Sequence, residues 1–272
     1  WFTHKPGLAL GVTASGGAVG QGVVPYLCAI SLEQYGWQTT YVISAGVYFC
    51  IAFPIAFLIK ESPLREVARN SPDLEVRSFA LSEREVIIWI SAAIVFCCSC
   101  MAVPIVYFVP LLTDNGRSLD EATTVLTLLM LSGAFGRIVG GKLGDVIGAL
   151  PGYILMSAGQ TISVFWFPYM HNDIPLYLLA IVFGFTYSGV MSSILVCTRN
   201  MVSARYSGRA MSITSFFGWI GMGTGGYVGG VVFDATGNYE WSFTFAAVAG
   251  VINLIILGLF FTRIRARTVP YP

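Results

Sequence analysis

The sequence predicts an all-α membrane protein with eight spanning helices. Composition is the first reason: 56% of the 272 residues are hydrophobic, 11% are charged, and the mean hydropathy is +0.74. A soluble domain carries about 25% charged residues. The second reason is distribution, because the charges cluster and leave long apolar stretches between them. The third is length, since each stretch approaches the roughly 20 residues that cross a hydrocarbon core.

The segments follow in order. The first, 7–31, is laced with Gly16, Gly20 and Gly22 before Pro25, and leads to an acidic, aromatic turn of Glu33, Tyr35, Gly36 and Trp37. Gly16 and Gly20 are expected to let a neighbouring backbone approach, and Pro25 to remove a helical hydrogen bond and kink the span. The second segment, 38–59, ends at the longest polar stretch, 60–85. The third, 86–112, holds Cys97, Cys98, Cys100 and Tyr107. Ser118 with Glu121 reads as a capping box that opens the fourth, 120–141. The fifth spans 150–168, and the sixth, 174–197, carries Tyr187, Ser188 and Ser192. The seventh, 209–233, is again glycine-rich, with Gly221 and Gly225 as packing positions and Phe216, Phe217 and Trp219 as candidate cavity rings. The eighth runs 242–262.

Thirteen of the fifteen basic residues, among them Lys5, Lys60, Lys142, Arg199 and Arg265, fall at the first and every second connection. The alternate connections carry Glu33, Asp114, Asp120, Glu121, Asp173, Asp234 and Glu240, with Arg117 as their one base. Basic loops stay in the cytoplasm, which places both visible ends there. Tyr35, Trp37, Trp166, Tyr169, Tyr239 and Trp241 then sit at the outer interface, where amphipathic rings belong.

The chain also resembles itself 201 positions apart. Gly7, Ala9, Gly17, Gly20, Gly22, Tyr26 and Gly36 match Gly208, Ala210, Gly218, Gly221, Gly223, Tyr227 and Gly237, and Glu33 stands opposite Asp234. That period is far longer than a solenoid repeat. Two equivalent membrane helices separated by half a molecule are what a two-fold transporter repeat leaves. The chain opens on Trp1 in a basic stretch, so a longer parent is expected. If the offset equals six helices, the first visible span is the fifth of twelve. Residues 1–59 are then the last two helices of an N-terminal six-helix domain, 60–85 the central cytoplasmic loop, and 86–272 a C-terminal six-helix domain.

These features resemble the major facilitator superfamily. Within it, the run from Trp1-Phe2 through Lys5-Pro6-Gly7-Leu8-Ala9-Leu10-Gly11 resembles the start of helix five in the monocarboxylate transporter group, which includes oxalate/formate exchangers. Gly36-Trp37 followed by Thr40-Tyr41 resembles the start of its helix six. Gly133-Ala134-Phe135-Gly136-Arg137 resembles its helix-eight arginine, and Gly141-Lys142-Leu143-Gly144-Asp145-Val146-Ile147-Gly148 the loop motif after it. Pro6 and Gln38 replace the usual arginines, Val146 replaces a basic residue, and Gly133 stands where many members carry an aspartate.

Arg137 is the one charge well inside a predicted span. Arginine at the bilayer centre costs at least about 2.5–3.5 kcal/mol, so an intramembrane charge is a functional hypothesis by default. Its planar fork matches a carboxylate bidentately, and Gly133, one turn away, is expected to leave room for an anion beside it. The competing reading is a guanidinium that snorkels toward the face near Lys142. Tyr187, flanked by Gly184 and Gly189, is the best candidate hydroxyl for substrate. Asp145, with Gly141 and Lys142 in the same motif, resembles a gating latch. A carboxylate is favoured at a helix N-terminus, and the start of the second glycine helix, 208–212, is its expected partner.

The six cysteines all lie in predicted spans, so neither a disulfide framework nor a zinc site is expected. His4 and His171 fall in loops. No nucleophile–base pair, phosphate loop or paired acid–base set is found within the spans, so no enzyme, metal, cofactor or nucleic-acid partner is expected. The resemblance implies a secondary active transporter moving a small organic anion, a monocarboxylate or similar, by alternating access. Coupling would be proton symport or anion exchange, in a plasma or bacterial inner membrane, with helices one to four of the same protein completing the path. The alternatives are a transport-inactive sensor of the same fold, a carrier for a different small solute and, less favoured, a channel.

Overall fold

A computed structural model describes residues 5–58 and 81–268. The proposed central loop, 60–85, therefore lies almost wholly outside the described residues. The elements are α1 (Pro6–Leu58), α2 (Glu83–Asp114), α3 (Leu119–Val146), α4 (Ala149–Trp166), a 3-10 turn (Phe167–Tyr169), α5 (Asp173–Asn200), α6 (Ala204–Thr236) and α7 (Tyr239–Thr268). Among the described residues there is no strand.

Helix α1 is two arms joined at Gly36, whose φ of 75° and ψ of 169° break the helix. A residue with a Cβ rarely adopts that conformation. The arms fold back on each other, because Thr40 Oγ1 donates to Ser31 Oγ at 3.1 Å and Cys28 Sγ lies 3.5 Å from Ser44 Oγ. Gly237, its partner in the internal repeat, also has positive φ (65°) and ends α6. The two glycines share a positive φ but differ in ψ, 169° at Gly36 against 17° at Gly237. The side chain of Pro25 lies outside the described ones, and the break observed in α1 is at Gly36.

Among the described residues seven rods are long and apolar enough to cross a membrane: the two arms of α1, and α2, α3, α5, α6 and α7. Eight spans were expected. The exception is α4, a helix of 18 residues whose packed face carries Ser157, Gln160, Thr161 and Ser163, all buried. Most of those polar atoms are met inside the bundle, while Gln160 Oε1 is buried without a partner among the described residues. Asn253 Nδ2 donates to Ser157 Oγ at 2.5 Å, the Tyr153 hydroxyl donates to Asn253 Oδ1 at 3.3 Å, and Gln160 Nε2 donates to the Cys97 carbonyl at 3.3 Å. Beside them lies an aromatic cluster, with the ring centroids of Phe108, Phe183 and Phe243 each 5.1–6.1 Å from that of Phe167.

Close packing relies on glycine. A Cβ at Gly136 would stand 2.7 Å from the Phe185 carbonyl carbon, and one at Gly140 2.7 Å from the Gly189 Cα, so α3 and α5 meet backbone to backbone. Gly221 and Gly225 do the same for α6 on α2, with a Cβ at Gly225 2.6 Å from the Ser99 Cα. At Gly16 and Gly20, expected to pack, nothing among the described residues lies within 4 Å of a Cβ. The residues of α1 that meet α3 include Gly7, Gly11, Ala14, Gly17 and Gln21, and Gly16 and Gly20 are not among them.

The Arg117 end of the bundle is held by ions. Arg117 donates to Glu121 and Asp173 at 2.6 Å each, and to the His171 carbonyl at 2.9 Å. The Asp173 hydrogen bond, followed by the remaining carboxylate contacts, raises the Arg117 pKa above its ordinary value. Ser118 caps α3, accepting from the Glu121 amide at 3.2 Å as the capping box requires, while the Glu121 carboxylate turns to Arg117.

Candidate functional site

The first arm of α1, α3 and α5 converge on Arg137. Its position on α3 follows from the glycines around it: Gly133, Gly136 and Gly140 draw α3 onto α5, and Gly141 draws it onto α1. A Cβ at Gly141 would stand 3.0 Å from the Gly11 Cα. The Arg137 side chain is consequently 9% exposed.

The guanidinium is held by neutral oxygens. Nη1 donates to the Ala14 carbonyl at 2.6 Å and Nη2 to Gln21 Oε1 at 3.1 Å, both on α1. Gly17 makes room for it, because a Cβ there would come within 2.8 Å of Nη1. From α5 the Tyr187 phenol lies within interaction range of the guanidinium. Tyr187 is 2% exposed and stacks on Phe183 with ring centroids 5.8 Å apart. The Nε–H of Arg137 is buried with no acceptor, and among the described residues no carboxylate pairs with this cation.

That environment places the head group at the α1–α3 contact, bonded to Ala14 and Gln21. It also corrects the expectation for Gly133. The space left by its missing side chain is filled by Ser188 and the Gly184 carbonyl of α5, with the latter 3.2 Å from an ideal Cβ, and leaves no room for an anion. Ser188 and Ser192 are buried, and Ser192 Oγ has no partner. Tyr107 donates to the Gly226 carbonyl at 2.7 Å and so ties α2 to α6. Phe216 and Trp219 project outward, 63% and 74% exposed.

Asp145 lies eight residues beyond Arg137, about 12 Å along α3 at 1.5 Å per residue. Its two oxygens accept the backbone N–H groups of Gly7 and Leu8, each at 2.8 Å. Those are among the amides that a helix start leaves unsatisfied, and the positive end of the dipole favours a carboxylate there. The expected partner was the 208–212 start of α6. The observed partner is the start of α1, and Gly208 has open space around it. Gly7 is needed for this approach, because a Cβ would sit 2.7 Å from Asp145 Oδ1. Lys142 is exposed, and Gly141 seats α1 beside the carboxylate.

Gln21 was not singled out from sequence. The signal available was a lone carboxamide between Gly20 and Gly22 in an otherwise apolar segment. The cysteines show no disulfide and no metal-binding group occurs among the described residues.

Comparison with known proteins gives the family. The family model described as Major Facilitator Superfamily matches residues 1–116 and 88–271. Monocarboxylate transporter 13 of Rattus norvegicus is 25% identical over 280 residues, covering 98% of this chain and 63% of its own length. The uncharacterized MFS-type transporter YcxA of Bacillus subtilis is 22% identical over 279 residues, 94% of this chain and 65% of its own. Multidrug resistance protein MdtG of Enterobacter lignolyticus is 26% identical over 281 residues, 98% and 65% respectively. The chain spans just under two thirds of the length of these relatives. It belongs to the Major Facilitator Superfamily, a transporter family, and is an integral, multi-pass membrane protein.

Proposed function

We propose that this member of the Major Facilitator Superfamily is part of a secondary active transporter that moves a small organic anion by alternating access, with Arg137 as the counter-charge of the anion. The observation that carries this reading is a buried guanidinium with no carboxylate partner among the described residues and an unused Nε–H. An unpaired charge inside a membrane domain costs several kcal/mol, so such residues mark substrate and ion pathways. A carboxylate brings the missing charge and the planar fork at once. In a low-dielectric site that pairing is far stronger than in water. Tyr187 supplies a hydroxyl beside the cation, and Asp145 the latch that closes α1 on α3 at the cytoplasmic end. In this reading 1–59 belongs to the N-terminal half and 86–272 to the C-terminal half, both visible ends are cytoplasmic, and helices of the same protein outside this chain complete the path.

The monocarboxylate class is supported by the helix-eight motif and by the name of one relative. A carrier for a different small solute is the second reading, favoured by the relative named for multidrug resistance. Coupling is proton symport or anion exchange, separated by imposing an inward proton gradient on vesicles that hold no anion, which drives uptake only in a symporter.

The test is uptake of radiolabelled lactate, pyruvate and oxalate by cells expressing the intact protein, wild type against Arg137→Gln, with membrane insertion of both measured alongside. Removing one partner of a buried charge pair costs about 2–5 kcal/mol, so uptake should fall at least about 30-fold. Uptake that survives the substitution removes Arg137 from the anion site. Wild-type cells that accumulate none of the three anions remove the carboxylate assignment.

A further inference from the structure

Gln21 and Ala14 both hold Arg137, but they differ in kind. The Ala14 oxygen is a backbone carbonyl of α1 and moves only with the helix, whereas Gln21 Oε1 sits on a side chain that can turn away. Neither oxygen is charged. A carboxylate bonds a guanidinium roughly twice as strongly as a neutral acceptor does. Nε and Nη2 form one edge of the guanidinium fork. On that edge Nε–H is unused and Nη2 is occupied by Gln21.

Resting on the reading of Arg137 as the anion's counter-charge, we propose that Gln21 is a placeholder displaced by substrate. In the empty carrier its carboxamide ties α1 to α3 through Arg137. An arriving carboxylate takes the free Nε–H, competes for Nη2 and expels Gln21, which cuts the one side-chain tie from α1 to that guanidinium.

The neutrality of Gln21 is central to this argument. A glutamate at 21 would neutralise Arg137 permanently and exclude the anion. An alanine would remove the tie while leaving the Ala14 bond and the glycine contacts in place. The substitution therefore separates a placeholder from a packing residue. Gln21 is itself exposed on the far side of its contact, so shortening it opens no sealed core.

The structure supplies a reporter for the tie. A Cβ built on Gly22 stands 3.8 Å from the Met130 Cβ, within the 3.5–4.5 Å that a disulfide spans. In the intact protein in native membranes, Gly22→Cys with Met130→Cys should cross-link readily under mild oxidation, with the linked peptide quantified by mass spectrometry. Adding Gln21→Ala should slow cross-linking about threefold without any anion, the factor for one membrane hydrogen bond of average strength. Gln21→Glu should speed it and abolish uptake. Whichever of lactate, pyruvate or oxalate the wild type accumulates should slow cross-linking in the wild-type background and leave the Gln21→Glu rate unchanged.

A Gln21→Ala rate equal to wild type overturns the proposal, as does an anion that slows the Gln21→Glu protein. Arg137→Gln keeps the two readings apart. Loss of uptake in Arg137→Gln with a wild-type Gln21→Ala rate refutes the placeholder and leaves the anion site standing. Uptake that survives Arg137→Gln refutes the anion site itself.

Discussion

Replacing Asp145 by asparagine tests the latch directly. In the native arrangement both carboxylate oxygens accept a backbone N–H at 2.8 Å, from Gly7 and from Leu8. Hydrogen bonds to charged groups contribute about 1.5–3 kcal/mol each, and neutral ones about 0.5–1.5. Asparagine retains one acceptor and turns an NH2 group toward the other amide, leaving one neutral bond in place of two charged ones. The site is only partly buried, so the low end of each range applies and the loss is about 2.5 kcal/mol, a factor of about 70. The Gly7 and Leu8 amides precede the first backbone bond of α1, from the Ala9 amide to the Lys5 carbonyl. Their protection from hydrogen exchange therefore depends on Asp145. Exchange at those two amides should accelerate about 70-fold in the variant, while amides in the middle of α3 remain at the wild-type rate. Unchanged exchange at Gly7 and Leu8 would refute the latch. Acceleration spread along all of α1 would show that Asp145 supports the helix itself.

Two further outcomes follow from packing and from the ion cluster. Gly136→Ala should lower the melting temperature in detergent by several degrees, because its Cβ would enter the Phe185 backbone and force α3 from α5. Gly20→Ala should leave the melting temperature unchanged or raise it, since its Cβ meets open space and alanine favours a helix by about 1 kcal/mol. The reverse order would mean that α1 packs by another face. Arg117→Gln should release both Glu121 and Asp173 and cost about 1–2 kcal/mol, read as a lower melting temperature. Arg263→Gln, half exposed beside Glu85, should change it by less than Arg117→Gln does.

The helices were legible because lipid imposes a simple rule. Uncharged apolar stretches of spanning length are visible in any window, and Ser118 with Glu121 announces a helix start by its own chemistry. Gly36 and Gly237 were legible as turns for the same local reason. The fate of α4 was less so, since Gln160 and Ser157 read as weak apolarity in sequence, and the Gln160 amide nitrogen and the Ser157 hydroxyl find their partners only once α2 and α7 surround them. The site was half legible. Arg137 stands out as a charge in an apolar run, and Asp145 belongs to a motif. Their partners depend on which rods lie side by side, and no local pattern encodes that. The space beside Gly133 is the clearest instance, because an absent side chain leaves a gap only if no neighbour fills it, and Ser188 does.

The contact of α1 with α3 is built unlike the core behind it. The aromatic cluster around Phe167 interlocks side chains of four elements, so moving one requires repacking the rest. Between α1 and α3 the surfaces are Gly7, Gly11 and Ala14 against Gly141 and the Arg137 backbone, with almost no interlocking side chains. In lipid there is little hydrophobic penalty for separating two such helices, so their association rests on close packing and on a few polar bonds. Those bonds are concentrated at two levels: Asp145 to the α1 amides, and Arg137 to Ala14 and Gln21. An interface of that kind can open as a unit when its polar bonds are exchanged for others. A substrate that offers Arg137 a better acceptor acts directly on one of the two levels, whereas the Asp145 level responds only to movement of the helix. On the proposed reading of Arg137 the order of events is set by chemistry: the guanidinium changes partner first, and the Asp145 contact at the end of α3 follows.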